Sequence, residues 1–328
     1  MSWDVTRLDH WLPARRHPET YPGDRPPGSY LLLDEVVCPV LLDDPDAPVV
    51  VTPGGEAEAL DAVLERAGLP ATSDRVAVLA YGGNRNPATL RIKFANYGYR
   101  CPGSAVAVPV LRGAIRGADV AACGLSGQGY LYGDLLVDPD LVGETRCEAW
   151  VVLADPDQLR VLNDSEIGTG DYAAARFPGV EVGRPLGGPV LGYTAHRPCF
   201  VSPELGRPLA FRSIDAERRA LPEMTPMEML DHVLGVLGLR DRARAVAGRG
   251  VNGDLALAVA HYMNRNWWRS FTGDEPEPGY GEVLTAVGEG LAARSLAGSS
   301  ASLLADRGLL MTDAEAQHPD ASLTWGRL

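Results

Sequence analysis

The chain has 328 residues, 45% of them hydrophobic and 22% charged, enough to bury a sizeable core and out of the range of wholesale disorder. A formal net charge of −13 gives a surface that repels phosphate backbones and anionic headgroups, which argues against nucleic acid and membranes as partners. No run reaches the ~18 apolar residues of a bilayer span, and Met1-Ser2-Trp3-Asp4 lacks the layout of a secretion signal.

Residues 1–28 are rich in Pro, Arg and charge and read as a surface arm held by Trp3 and Trp11. Tyr30–Val37 and Pro48–Thr52 are apolar runs split by the acidic turn Asp43-Asp44-Pro45-Asp46. The spacing of Leu60, Val63, Leu64 and Ala67 predicts a helix over 56–67 that ends at Gly68. From Arg75 short β-like runs follow at Val76–Ala80, Ala105–Leu111, Gly113–Ala122, Gly129–Leu136, Cys147–Leu153 and Tyr172–Val182. Helices are predicted over 88–95 and 155–163, each with a proline at its start. Beyond residue 215 the texture is helical: a capping box at Thr225–Glu228, then runs near 254–269 and 280–296. Three segments result: a lead-in over 1–70, a strand-rich unit over 71–200 and a helical region over 201–328. The class is α+β, and many short strands with few helices between them point to a small mixed barrel.

Five cysteines, Cys38, Cys101, Cys123, Cys147 and Cys199, are dispersed without a C-x-x-C pair. That pattern fits reduced thiols in a cytoplasm and neither a disulfide framework nor a zinc site. His196 and His232 have no paired ligand in the sequence and read as surface or capping groups. Cys123 reads as a buried thiol, because no base accompanies it. Arg85, Arg91 and Lys93 read as a solvated helix face. Asn264, Asn266, Trp267 and Trp268 form a polar-aromatic cluster that either roofs a pocket or joins two domains.

Two stretches could carry chemistry. In Tyr81-Gly82-Gly83-Asn84-Arg85-Asn86-Pro87 a buried strand runs into adjacent glycines and then a helix start. Such a loop can aim backbone N–H groups at an anion, although a plain strand-to-helix turn accounts for it equally well. Further on, Leu162-Asn163-Asp164-Ser165-Glu166 ends a helix before a strand begins at Tyr172. A carboxylate facing an apolar interior there would be pushed toward neutrality and could shuttle a proton; on spacing alone a solvated acidic turn is the plainer reading.

In order and spacing these stretches, with Gly127-Gln128-Gly129-Tyr130-Leu131-Tyr132-Gly133-Asp134 between them, resemble the γ-glutamyl cyclotransferase-like family over about residues 75–195. Gly83 stands where that family has Ser or Thr, Asn163 where it has Asp, and Ile167 where Gly often follows the glutamate. The resemblance implies a small closed β-barrel whose pocket lies beside the turn. Tyr81, Gly82, Gly83, Asn84 and Tyr172 would bind substrate, the amides of residues 82–84 holding the α-carboxylate of a γ-glutamyl group. Glu166 would be the general base that frees the α-amine to attack the γ-carbonyl, giving 5-oxoproline and an amine. No metal and no organic cofactor is implied. The long flanks suggest a specialised substrate, such as a γ-glutamylated intermediate of bacterial secondary metabolism, and a lid, partner surface or homodimer interface. Two other readings stand beside this one: a non-catalytic binding or scaffold protein, and an amidase or acyltransferase using Cys123 or a held water.

Overall fold

The computed structural model describes residues 3–44, 47–97, 106–248 and 254–328, to which all structural statements refer. Cys101, and Pro45 and Asp46 of the acidic turn, lie outside them.

Strand β5 (Val76–Ala80) shows why the core sequence reads as continuously apolar. Val76, Val78 and Ala80 pack into one buried cluster, while Ala77, Leu79 and the following Tyr81 pack into another on the opposite face. A strand buried on both sides has no polar face to alternate with. The same division holds along β9 (Arg146–Ala154): Trp150, Val152 and Ala154 face one cluster, and Cys147, Ala149, Val151 and Leu153 the other.

These strands belong to a mixed sheet whose main path also takes in β1 (Tyr30–Leu33), β2 (Val36–Leu41), β3 (Val49–Val51), β4 (Ala57–Ala59), β6 (Ala107–Arg116), β10 (Tyr172–Phe177) and β11 (Val190–Ala195). Its order is β10-β11-β5-β9-β6-β1-β2-β3-β4, with β11 and β5 parallel and the other neighbours antiparallel. A second sheet pairs β7 (Asp119–Leu125) with β8 (Leu131–Leu136) and continues through β12 (Ala210–Phe211) to β13 (Glu223–Met224). The α+β class therefore holds.

The closed barrel does not appear: among the described residues no ladder joins β10 to β4, and neither sheet closes. The parting point is Gly117, whose φ of +67 turns the chain between β6 and β7 and sends them into different sheets. The sequence suggested a break near Gly113 instead. That glycine stays in β6 because the Glu181 carbonyl of the neighbouring Val180–Val182 strand crosses over it, 2.0 Å from where a Cβ would stand. Gly179, with φ +77, likewise splits the long Tyr172–Val182 run in two.

Helices α1 (Leu60–Arg66), α2 (Pro87–Asn96) and α3 (Pro156–Glu166) follow the early strands. In α2, Asn86 caps Thr89 N–H at 2.7 Å; in α3, Asp155 and Gln158 form a reciprocal capping box. Leu90 and Phe94 of α2 and Leu159 and Leu162 of α3 share a cluster with one face of β5 and β9. The cluster on the opposite face also takes in β7, β8 and the helices α4 (Pro226–Val236), α6 (Leu255–Thr272) and α7 (Tyr280–Ala292), through Met229, Val233, Val259, Met263 and Val287 among others. Between α4 and α6 lies α5 (Arg240–Ala247), and α8 (Ser300–Asp306) and α9 (Asp313–Gln317) come after α7. No described helix is long and apolar enough to cross a membrane.

Candidate active-site cavity

Where β5 runs out, the chain makes a single 3-10 turn, Gly83–Arg85, before α2 begins at Pro87. The turn's own bonds run from Arg85 N–H to Gly82 O and from Asn86 N–H to Gly83 O, which leaves the amides of Gly82, Gly83 and Asn84 at its open end. That end borders a cavity of about 520 Å³, within the size range of small-molecule sites.

Every site residue expected from the sequence lines this cavity: Tyr81, Gly82, Gly83, Asn84, Glu166 and Tyr172. Glu166 sits in the last turn of α3, because that helix runs three residues past the predicted Asn163. Its carboxylate accepts a 2.9 Å hydrogen bond from Asn84 Nδ2, joining residues 82 positions apart. It also accepts one from Lys93 Nζ.

Lys93 corrects the reading of a solvated basic face. Its side chain is only 6% exposed and points into the cavity from α2. Burial lowers its pKa; Glu166 opposes that shift, and Arg15 reinforces it. Arg85 is buried too, paired with Glu148 at 2.8 Å, and burial brings its pKa down to about 10. Arg91 alone reaches outward, to Glu35 at 2.9 Å.

With Nδ2 bonded to Glu166, the Oδ1 of Asn84 is buried beside the site and has no described partner. Thr89 Oγ1, also in the lining, is equally buried and unpartnered. Native proteins leave few such atoms, and two of them belong to residues of this one lining.

Seven of the described tyrosines line the cavity: Tyr21, Tyr81, Tyr97, Tyr130, Tyr132, Tyr172 and Tyr193. The Tyr81 hydroxyl lies 2.6 Å from Tyr193 O and 3.1 Å from Asp134 Oδ1. Tyr21 accepts from Gly133 N–H at 2.9 Å. Burial raises the pKa of Tyr81, Tyr172 and Tyr193 well above the phenol range, which keeps them neutral. The Tyr132 and Tyr172 hydroxyls have no hydrogen-bond partner among the described residues, and both residues line the cavity.

Two groups came to the cavity from outside the stretches the sequence singled out. The N-terminal arm is no mere surface strap, since Ala14, Arg15 and Tyr21 form part of the wall. The composition of residues 1–28 and their tryptophans signalled an arm, but nothing local to it signalled a part in the cavity. From the far end of the chain, α6 supplies Trp267 and Phe271, so the aromatic cluster roofs the pocket. Asn264 fixes that roof by donating to Arg15 O at 2.9 Å and Gln128 O at 3.0 Å.

Other candidates fall away on geometry. Cys123 is buried, does not line the cavity, and its thiol is pushed up by burial and by Asp134. The described cysteines, Cys38, Cys123, Cys147 and Cys199, are all buried and unbridged. His232 lies 2.9 Å from Ser202 Oγ and 3.8 Å from Glu204, an arrangement with the outline of a triad. Ser202 is wholly buried, however, borders no cavity described here, and accepts Leu205 N–H to hold a tight turn. His196 is exposed. Among the described residues no group of three His, Cys, Asp or Glu side chains is placed to hold a metal ion.

Of the departures from the γ-glutamyl cyclotransferase-like pattern, Asn163 is structural here. It accepts from Tyr193 Oη at 2.8 Å and donates to Ala316 O at 3.0 Å, outside the cavity lining. A Cβ on Gly83 would meet Thr89 Cγ2 at 3.6 Å, an ordinary contact, so crowding at that position does not require the glycine. Set against protein-family models, curated proteins and solved structures, the chain finds no match.

Proposed function

We propose that the chain is an enzyme of the γ-glutamyl cyclotransferase type, converting a γ-glutamyl amide into 5-oxoproline and a free amine. The observation that carries this reading is the meeting of Glu166 with Asn84 in a cavity bordered by the Gly82–Asn84 amides.

The substrate's α-carboxylate takes the open amides of the turn, as anions do at helix starts. Its α-ammonium then lies between Glu166 and the unpartnered Asn84 Oδ1. Seated there, the ammonium competes with Lys93 for the carboxylate. A second cation beside an already depressed Lys93 favours moving a proton off the pair. Glu166 takes a proton from the α-nitrogen, which attacks the γ-carbonyl carbon. The new C–N bond closes the five-membered ring, the ring nitrogen gives up its second proton, and the original amide C–N bond breaks. Both protons leave on the departing nitrogen, one of them returned by Glu166, so that the amine is released as its ammonium. Because nucleophile and electrophile share one molecule, folding it into the ring-closing shape supplies much of the rate. Tyr172 and Tyr132 are neutral donors for the developing oxyanion.

The test is to incubate wild type and Glu166→Gln with a panel of γ-glutamyl amines and peptides, following 5-oxoproline by mass spectrometry. Turnover by wild type and a loss of at least about 10²-fold in the variant is the expected outcome. Equal turnover by both would remove Glu166 from the mechanism. A second reading, a binding module without turnover, draws on the Lys93–Glu166 pair, which occupies the base in the resting site. Binding of γ-glutamyl amides by both proteins without product would favour it.

A further inference from the structure

Asn264, Trp267, Trp268 and Phe271 recur at the i, i+3, i+4, i+7 spacing of a single helix face, at the C-terminal end of α6. The inner end of this face is fastened: Asn264 bridges Arg15 O and Gln128 O, and the Trp267 ring lies against Gly127, 2.9 Å from where a Cβ would stand. Its outer end is open. Trp267 and Phe271 stack with centroids 5.3 Å apart and planes 15° apart, and both border the cavity. Phe271 is 60% exposed, an unusual position for a large apolar ring unless something else covers it. Arg15, whose carbonyl is tied to this same helix, is partly buried, lines the same cavity and has no ion pair among the described residues. A planar apolar shelf in a cavity that also holds an arginine with no ion pair among the described residues suits a ligand end carrying both an aromatic ring and a carboxylate.

Building on the cyclotransferase reading, we propose that the leaving amine is an aromatic amino acid, its ring on Trp267 and Phe271 and its carboxylate on Arg15. The substrate would then span the cavity with its glutamyl end at Glu166 and Asn84 and its aromatic end under α6.

Three probes separate the parts: γ-glutamyl-phenylalanine, γ-glutamyl-alanine, which lacks the ring, and γ-glutamyl-phenethylamide, which lacks the second carboxylate. Binding is measured calorimetrically on Glu166→Gln, and 5-oxoproline release on wild type. γ-Glutamyl-phenylalanine is expected to bind about tenfold more tightly than either partial probe. Phe271→Ala, at an exposed position that does not threaten folding, should erase most of its advantage over the alanine probe. Arg15→Gln should erase its advantage over the phenethylamide. Equal affinity for the three probes, or unchanged ratios in both variants, overturns the proposal. If the phenylalanine probe binds with the expected preferences and none of the three is turned over, the aromatic subsite stands and the cyclotransferase chemistry falls. If all three are turned over with equal kcat/KM, the chemistry stands and the subsite falls.

Discussion

Asp134 lies just behind the cavity wall, where Tyr81, the Thr194 hydroxyl and the Ala195 amide surround its carboxyl group. Burial outweighs these hydrogen bonds and lifts its pKa from the ordinary 3.8 to about 6. The folded protein therefore holds this proton more tightly than the unfolded chain does. Below the unfolded value both states are protonated and nothing is lost. Stability declines as pH rises through the interval up to about 6, and the full cost, at most about 3 kcal/mol, persists above it. Asp134→Asn removes the titration and keeps the size. Relative to wild type, the variant should gain up to about 3 kcal/mol between pH 4 and pH 7.5 in urea titrations. Parallel stability curves for the two proteins across that range would show that Asp134 stays charged in the fold.

The Gly127–Gly129 loop and α6 were each visible in the sequence, but not their contact. Gly129 has φ +90, and a Cβ there would stand 2.2 Å from Ala260 O on the helix backbone. Gly129→Ala should therefore cost about 2–4 kcal/mol and loosen the roof, seen as weakened denaturant resistance with altered tryptophan fluorescence. Gly281→Ala in α7 is the control: it has open space around it and should be neutral or stabilising by up to about 1 kcal/mol. Equal losses in both variants would count against the roof contact. Local signals served well wherever one element specified itself. Pro87 and Pro156 placed two helix starts to within one residue, and the capping box at Thr225 with Pro226 placed a third. Direction was harder to read. Lys93 and Arg91 are two positions apart on α2, hence on nearly opposite sides of it. Nothing local tells which side faces Glu166, which arrives 73 residues later. The turn and the glutamate were legible as separate pieces; their pairing through Asn84 and Lys93 depends on how α2 and α3 pack on the sheet.

At the scale of the molecule, the flanks are part of the architecture that shapes the cavity. Leu31 and Leu32 of β1 pair with Pro109 and Val108 of β6, placing the lead-in segment in the main sheet. Ala210 of β12 pairs with Ala121 of β7, and Trp325 N–H donates to Arg75 O at 2.9 Å, next to β5. Both sheet faces are apolar, so a piece cut at residues 71 and 200 exposes the surface that α4 and α6 cover. Periodicity showed that these flanks hold strands and helices; which faces they bury is a long-range property that no window of sequence contains. The expectation is that residues 71–200 expressed alone lack the near-ultraviolet signal and cooperative urea transition of a packed core, whereas the full chain shows both. A fragment that unfolds cooperatively and binds γ-glutamyl amides would make the flanks accessories to an independent unit. Loss of the packed core in the fragment would instead tie the roof, the arm and the sheet into one cooperative structure, in which Arg15, Tyr21 and Trp267 belong to the site as fully as Glu166 does.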